Sequence, residues 1–213
     1  MVMQQATDFL EESKALAGLL ATLSDSDFET QTQFKGWTIN NIVRHLHVWN
    51  IAVDLSLQDE AAFGAFVAAM MEGVRGGKLP AFEASYLNGL SGQVLLQAWL
   101  ERTEAVAAAF ADADPKLRLK WVGPDMSALS SITARLMETW AHAQAVYDVR
   151  GVARQDTDRI GNIVRLGVNT WGFTWKNRRQ DPPGPMPQVH LTAPSGAIWE
   201  YGEASDSGLI TGS

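Results

Sequence analysis

Residues 127–150, SALSSITARLMETWAHAQAVYDVR, decide the fold. Ser127 is a residue type that accepts hydrogen bonds at the start of a helix, and Gly151 one that ends it. Between them Leu129, Ile132, Leu136, Trp140, Ala143 and Tyr147 recur at helical spacing and form one apolar face. The opposite face carries Ala134, Glu138, Ala141, His142, Ala145 and Val149, small and apolar except for one carboxylate and one imidazole. A helix apolar on most sides is buried on most sides, and alanines leave room beside the two polar groups. Glu138 and His142 stand one turn apart, so both side chains can reach a single ion.

Outward from this segment the chain reads as mainly α. Residues 7–23 place Leu16, Leu19, Leu20 and Leu23 at helical spacing; Thr38 is positioned to cap a helix through about Gln58, with Asn41 as its partner at the third position. Residues 59–74 form an Ala-rich helical stretch that ends near Gly76-Gly77, and residues 91–111 a further helix. Residues 80–89 read as a short turn, residues 112–125 as a loop with Trp121 and Val122 tucked inward, and residues 156–179 as a last helix. Four prolines between Pro182 and Pro187 then mark a boundary. Beyond it Val189, Leu191 and Ala193 alternate with polar residues, and Ser195-Gly196 precedes residues 197–201, the pattern of a β-hairpin.

Composition limits the function classes. The chain has 213 residues, 46% of them hydrophobic, eight tryptophans and a formal net charge of -7, which suits a globular protein and opposes a general nucleic-acid or anionic-membrane binder. There is no cysteine, hence no disulfide, no thiolate-ligated zinc and no cysteine nucleophile. No run approaches the ~20 apolar residues of a membrane span, and the first twelve residues lack a signal-peptide pattern, so a cytoplasmic location is expected.

Of the four histidines, His45 lies about 60° from the centre of the stripe formed by Ile42, Leu46, Trp49 and Val53, and His47 about 140° away. His45 is therefore expected inside and His47 in solvent. His45, Glu138 and His142 together supply two imidazoles and one carboxylate, the ligand set of open catalytic zinc sites, which nickel or ferrous iron also accepts. The bland alternatives stand beside this one: a Glu and a His at this spacing also make an ordinary surface pair, and a lone His45 a hydrogen-bonded core residue. His190 reads as an exposed strand residue. Trp37, Trp49 and Trp140 read as core, with Trp49 and Trp140 near enough to the ligands to wall a pocket. Lys176, Arg178 and Arg179 read as a solvated helix end, with an anion-binding role for Arg178 as the lesser alternative.

Gly36-Trp37-Thr38-Ile39, with His45 eight residues after the Trp, resembles the first metal-ligand motif of the DinB/YfiT-like superfamily, and more closely that of the branch containing mycothiol-dependent maleylpyruvate isomerase. Residues 134–142, ARLMETWAH, resemble the second motif of that branch, and Arg178 with residues 189–199 is similar to the start of its small sterol-carrier-like C-terminal domain. The resemblance implies a DinB-like up-down four-helix bundle with extra helices, in a helical metal-binding domain over residues 1–180. Residues 181–213 then form a Pro-rich linker and a partial sterol-carrier-like β segment. It further implies one divalent ion held by His45, Glu138 and His142, zinc ahead of nickel or iron, and a low-molecular-weight thiol such as mycothiol or glutathione as co-substrate. The expected activity is isomerisation of, or transfer to, a small electrophile; the alternatives are a non-catalytic metal or small-ligand binding protein and a metal-dependent hydrolase. An exposed hairpin edge and abundant Trp point to a homodimer.

Overall fold

A computed structural model describes residues 2–75, 77–204 and 206–213, which divide into two compact units, one ending at Arg154 and one beginning at Gln155. The first unit contains α1 (Gln4–Leu20), α2 (Ile39–Gln58), α3 (Glu60–Arg75), α4 (Leu79–Tyr86), α5 (Gly92–Ala111) and α6 (Ala128–Arg150). Their ends follow local chemistry. Asn41 N–H donates to Thr38 Oγ1 at 3.2 Å and Thr38 N–H to Asn41 Oδ1 at 3.0 Å, a reciprocal cap that fixes the phase of α2. Ser130 N–H donates to Ser127 Oγ at 3.1 Å to open α6, and Gly151 closes it at φ 64°, a conformation that costs a side-chain-bearing residue more.

Four long helices form the bundle, with α1 and α2 each packed against both α5 and α6. Met3 N–H donates to the Ala111 carbonyl and Gln93 Nε2 to the Leu20 carbonyl, so α1 and α5 run in opposite directions. Asn40 Oδ1 accepts from Gly92 N–H at 2.9 Å, and Asn50 Nδ2 donates to Thr103 Oγ1 at 3.0 Å, so α2 and α5 run together. The core between them is built from Leu16, Leu20, Ile42, Leu46, Leu95, Trp99 and Val146, all nearly inaccessible to solvent. Each such aliphatic side chain stabilises the fold by roughly 1.5–3 kcal/mol relative to exposure. A second cluster, Val48, Ala52, Phe63, Phe66 and Met70, seats α3 on the outer side of α2.

That second cluster corrects one expectation. His47 is buried, only 7% exposed, because α2 is packed by α3, α4, α5 and α6 and has no wholly solvated side. The expected turn over residues 80–89 is largely the helix α4, and the end of α3 expected near Gly76-Gly77 falls partly outside the described residues, since Gly76 is not among them. The loop before α6 carries the short antiparallel strands β1 (Arg118–Leu119) and β2 (Met126–Ser127). No helix among the described residues is long and apolar enough to cross a membrane.

In the second unit the single helix expected over residues 156–179 is broken into a 3-10 turn at Asp158–Ile160, α7 (Gly161–Asn169) and α8 (Trp171–Asn177). Thr170 sits between α7 and α8, its N–H and its hydroxyl both donating to the Leu166 and Gly167 carbonyls. The hairpin is present as β3 (Gln188–Thr192) and β4 (Ile198–Tyr201), with Val189 opposite Tyr201. A third strand, β5 (Leu209–Gly212), pairs parallel with β3 and gives the sheet the order β4-β3-β5. A lone hairpin is marginal in water, and the added strand supplies part of the missing support.

Candidate metal centre

The cap at Thr38 sets the rotation of α2, so His45, two turns in, faces α6 and is 8% exposed. On α6, Glu138 and His142 face back. His142 Nε2 lies 3.2 Å and His45 Nε2 3.5 Å from the same oxygen, Glu138 Oε2. One ligand atom from each of the three residues lies within 4.8 Å of the others. A tetrahedral ion with bonds of about 2.0–2.1 Å holds its ligand atoms roughly 3.3–3.4 Å apart, close to these two separations. All three residues expected from the sequence are thus brought together.

The surroundings fit a cation as well. His45 Nδ1 lies 2.7 Å from Glu83 Oε1, a carboxylate on α4 with no exposed surface. Ligating histidines characteristically donate their second nitrogen to a carboxylate, which fixes the tautomer and makes the free nitrogen more basic. Trp49 Nε1 donates to the same oxygen at 3.1 Å, locking the carboxylate from a second side. His142 is held by rings instead: Trp37 stacks on it at 5.9 Å with planes 2° apart, and Phe34 meets it edge-on at 4.9 Å. Both aromatics come from the turn whose Lys35 and Gly36 are left-handed, at φ 54° and 69°. Glycine removes the strain of that conformation at one of the two positions.

Arg135, one turn before Glu138, is 2% exposed and completes the electrostatics. Its Nε donates to Asn50 Oδ1 at 3.0 Å and its Nη2 to the Leu46 carbonyl at 3.4 Å. Burial lowers its pKa to about 10, leaving it cationic at neutral pH. Hydrogen bonds from His142 and then His45 hold the Glu138 carboxyl well below the usual carboxylate range, with Arg135 adding to the effect. Burial works against a charged His45, yet hydrogen bonds to Glu138 and Glu83 outweigh it and raise the imidazole above its ordinary value. Positive charge is therefore favoured between these three side chains, and a divalent ion would supply it without the proton. His47, by contrast, is pushed down to about 4 by burial and by the nearby Arg102.

A cavity of about 190 Å³ opens beside the cluster, lined by His45, Trp49, Trp121, Ala134, Arg135 and Glu138. Trp49 walls it as expected. Trp140 does not; it lies under the Arg154 guanidinium, 4.7 Å from the ring centre. In the second unit His190 sits on β3, 3.6 Å from Glu200 of β4, and Arg178 lies over Trp175 at 5.9 Å. Sequence reasoning missed Glu83 and Arg135. The available signal was a lone acid in the otherwise uncharged segment Leu79–Tyr86, and a lone cation in the helical stretch between Ser127 and Glu138.

Residues 9–147 match the family described as the mycothiol maleylpyruvate isomerase N-terminal domain. Two uncharacterised proteins from two strains of Mycobacterium tuberculosis are each 35% identical over 207 residues, spanning 97% of this chain and 79% of theirs. A crystal structure of the mycothiol-dependent maleylpyruvate isomerase shares the fold, with a TM-score of 0.57 at 15% identity over 99% of this chain and 84% of that one. A histidine-to-alanine mutant of that enzyme gives a TM-score of 0.59 with the same identity and coverage.

Proposed function

The chain belongs to the mycothiol maleylpyruvate isomerase N-terminal domain family, and from that premise we propose that it is a metal- and thiol-dependent isomerase or transferase acting on a small electrophile. His45, Glu138 and His142 hold one divalent ion, zinc before nickel or iron. The observation that carries this reading is the convergence of three donor atoms on one point while the second nitrogen of His45 rests 2.7 Å from a fully buried carboxylate. A divalent ion held there supplies Lewis acidity, which lowers the pKa of a thiol or a water at its open position.

The protein groups have separate tasks. Glu83 orients His45, the Trp37 and Phe34 rings hold His142, and Arg135 offsets part of the carboxylate charge. The Trp49 and Trp121 indoles cover one side of the cavity and limit water there. The thiol comes from outside, because the chain has no cysteine. A low-molecular-weight thiol of the cytoplasm, mycothiol or glutathione, is the co-substrate, and the enzyme acts there as a homodimer.

One observation favours a non-catalytic metal or small-ligand binder instead. Among the described residues, the only ionisable one lining the cavity apart from the three proposed ligands is Arg135, two of whose donors are committed to α2, so no separate acid or base is seen there. Metal analysis of the purified protein beside a His142→Ala variant tests the centre: one ion per chain is expected in the parent and its loss in the variant, whereas equal content in both removes the site. Turnover of electrophiles across a thiol panel separates enzyme from binder. Metal bound with no thiol-dependent turnover selects the binder.

A further inference from the structure

We propose that Arg154 is a positioning residue for the metal centre: it grips α6 from the side opposite the ligands and holds the turn that carries Glu138 and His142. The inference rests on the reading of those two residues as ligands and deepens it. On a helix of 3.6 residues per turn, Trp140 stands roughly 200° from both Glu138 and His142, so its side chain and the ligand pair occupy opposite faces of α6 at one level. Arg154 covers that far face. The chain reverses at the left-handed Gly151, which lets residue 154 reach back to residue 140. The Arg154 guanidinium lies 4.7 Å from the centre of the Trp140 ring and 5.7 Å from that of Tyr147, two turns further along the same face. Nη1 and Nη2 both donate to the Trp140 carbonyl, at 2.8 and 2.7 Å, and Nη1 also donates to Gln144 Oε1 at 3.0 Å. Nη2 reaches Glu12 Oε1 of α1 at 3.4 Å, and the side chains of both residues are only 6% exposed.

This grip acts on the ligands through the backbone. A carbonyl has two lone pairs, and in a helix the N–H four residues on takes one of them. Charged donors at the other draw the Trp140 carbonyl outward. A helix is convex on the side where its carbonyls tilt out, and its opposite side is correspondingly shortened. Here the shortened side carries Glu138 Oε2 and His142 Nε2, 3.2 Å apart, so the grip favours the spacing at which both reach one ion. His142 needs this support more than His45 does. Its Nδ1 is buried and has no hydrogen-bond partner among the described residues, whereas His45 Nδ1 rests on Glu83. With no carboxylate behind it, the placing of His142 depends on the helix that carries it.

The test compares the full chain with its Arg154→Met and Glu12→Gln variants. Zinc affinity is read by competition with a chromophoric chelator at pH 7.5, and backbone hydrogen exchange of the metal-free proteins by mass spectrometry. Arg154→Met is expected to bind zinc about tenfold more weakly, the lower end of the effect of removing a group that orients ligands from outside, and to exchange faster over residues 138–144. Glu12→Gln removes the ion pair with α1 but leaves the donors on the Trp140 carbonyl, so it should keep parental zinc affinity even where its melting temperature falls. Arg154→Lys retains the charge beside Glu12 without the planar fork; it should fall between the parent and the Met variant, and it decides the matter should the Met variant fail to fold. Parental zinc affinity in the Arg154 variants, unchanged exchange over residues 138–144, or an equal loss of affinity in Glu12→Gln overturns the inference. A parent that binds no zinc is a separate failure: it removes the ligand reading, while the exchange comparison still decides whether Arg154 holds the turn.

Discussion

Replacing Glu83 by Gln tests how the centre is held. The amide keeps the length of the side chain and an oxygen that accepts from His45 Nδ1 and Trp49 Nε1, which now lie 2.7 and 3.1 Å from Glu83 Oε1. Only the charge is lost, and the new NH₂ group occupies the place of Oε2, which has no hydrogen-bond partner among the described residues. A neutral partner leaves the His45 imidazole a weaker donor to a cation. Removing such a supporting carboxylate costs about 10–100-fold in metal affinity, or roughly 1.4–2.7 kcal/mol. Zinc affinity measured by competition with a chromophoric chelator at pH 7.5 should fall by that factor. Circular dichroism should remain that of the parent. A Glu83→Gln protein with parental zinc affinity refutes the role given to this carboxylate.

Two further outcomes follow from the buried charges. His47 has an ordinary value of 6.5 and a folded value near 4, so the unfolded chain binds the extra proton between them and stability is lost as the pH falls through that window. The interval corresponds to a ceiling of roughly 3 kcal/mol. The difference in melting temperature between the parent and His47→Gln should shrink from pH 7 to pH 4.5; a constant difference contradicts the neutral buried state. Arg135→Met leaves Glu138 and Glu83 without their guanidinium and should cost about 3–5 kcal/mol, or about 6–20 °C in melting temperature for a chain of this size. Arg135→Lys should not restore it, because an ammonium cannot reach Asn50 and Leu46 together; a loss under about 2 °C in the Met variant counts against this role.

The convergence of the three candidate ligands was legible because helix geometry is local. An alanine-rich face with one Glu and one His a turn apart marks α6, and the Thr38 cap with a spacing of 100° per residue points His45 inward. Glu83 was not legible, since its pairing with His45 spans 38 residues and depends on how α4 docks on α2, which no periodicity encodes. The same limit misplaced His47. An angle on a helical wheel predicts exposure only for a helix covered on one side, and α2 is covered by four neighbours. In the second unit, β5 has four residues after the left-handed Gly208, too few to show an alternating pattern.

His45 lies early in α2 and His142 late in α6, with the whole of α3, α4 and α5 strung between them in the chain. An ion seated on both would act as a reversible clasp across that long loop, in a polypeptide that has no disulfide to do so. Unlike a covalent bridge, its strength tracks the free ion: about 2.7 kcal/mol at a hundred times the dissociation constant and about 4.1 at a thousand times. The thermal endurance of the protein would then serve as a gauge of how much metal its surroundings make available.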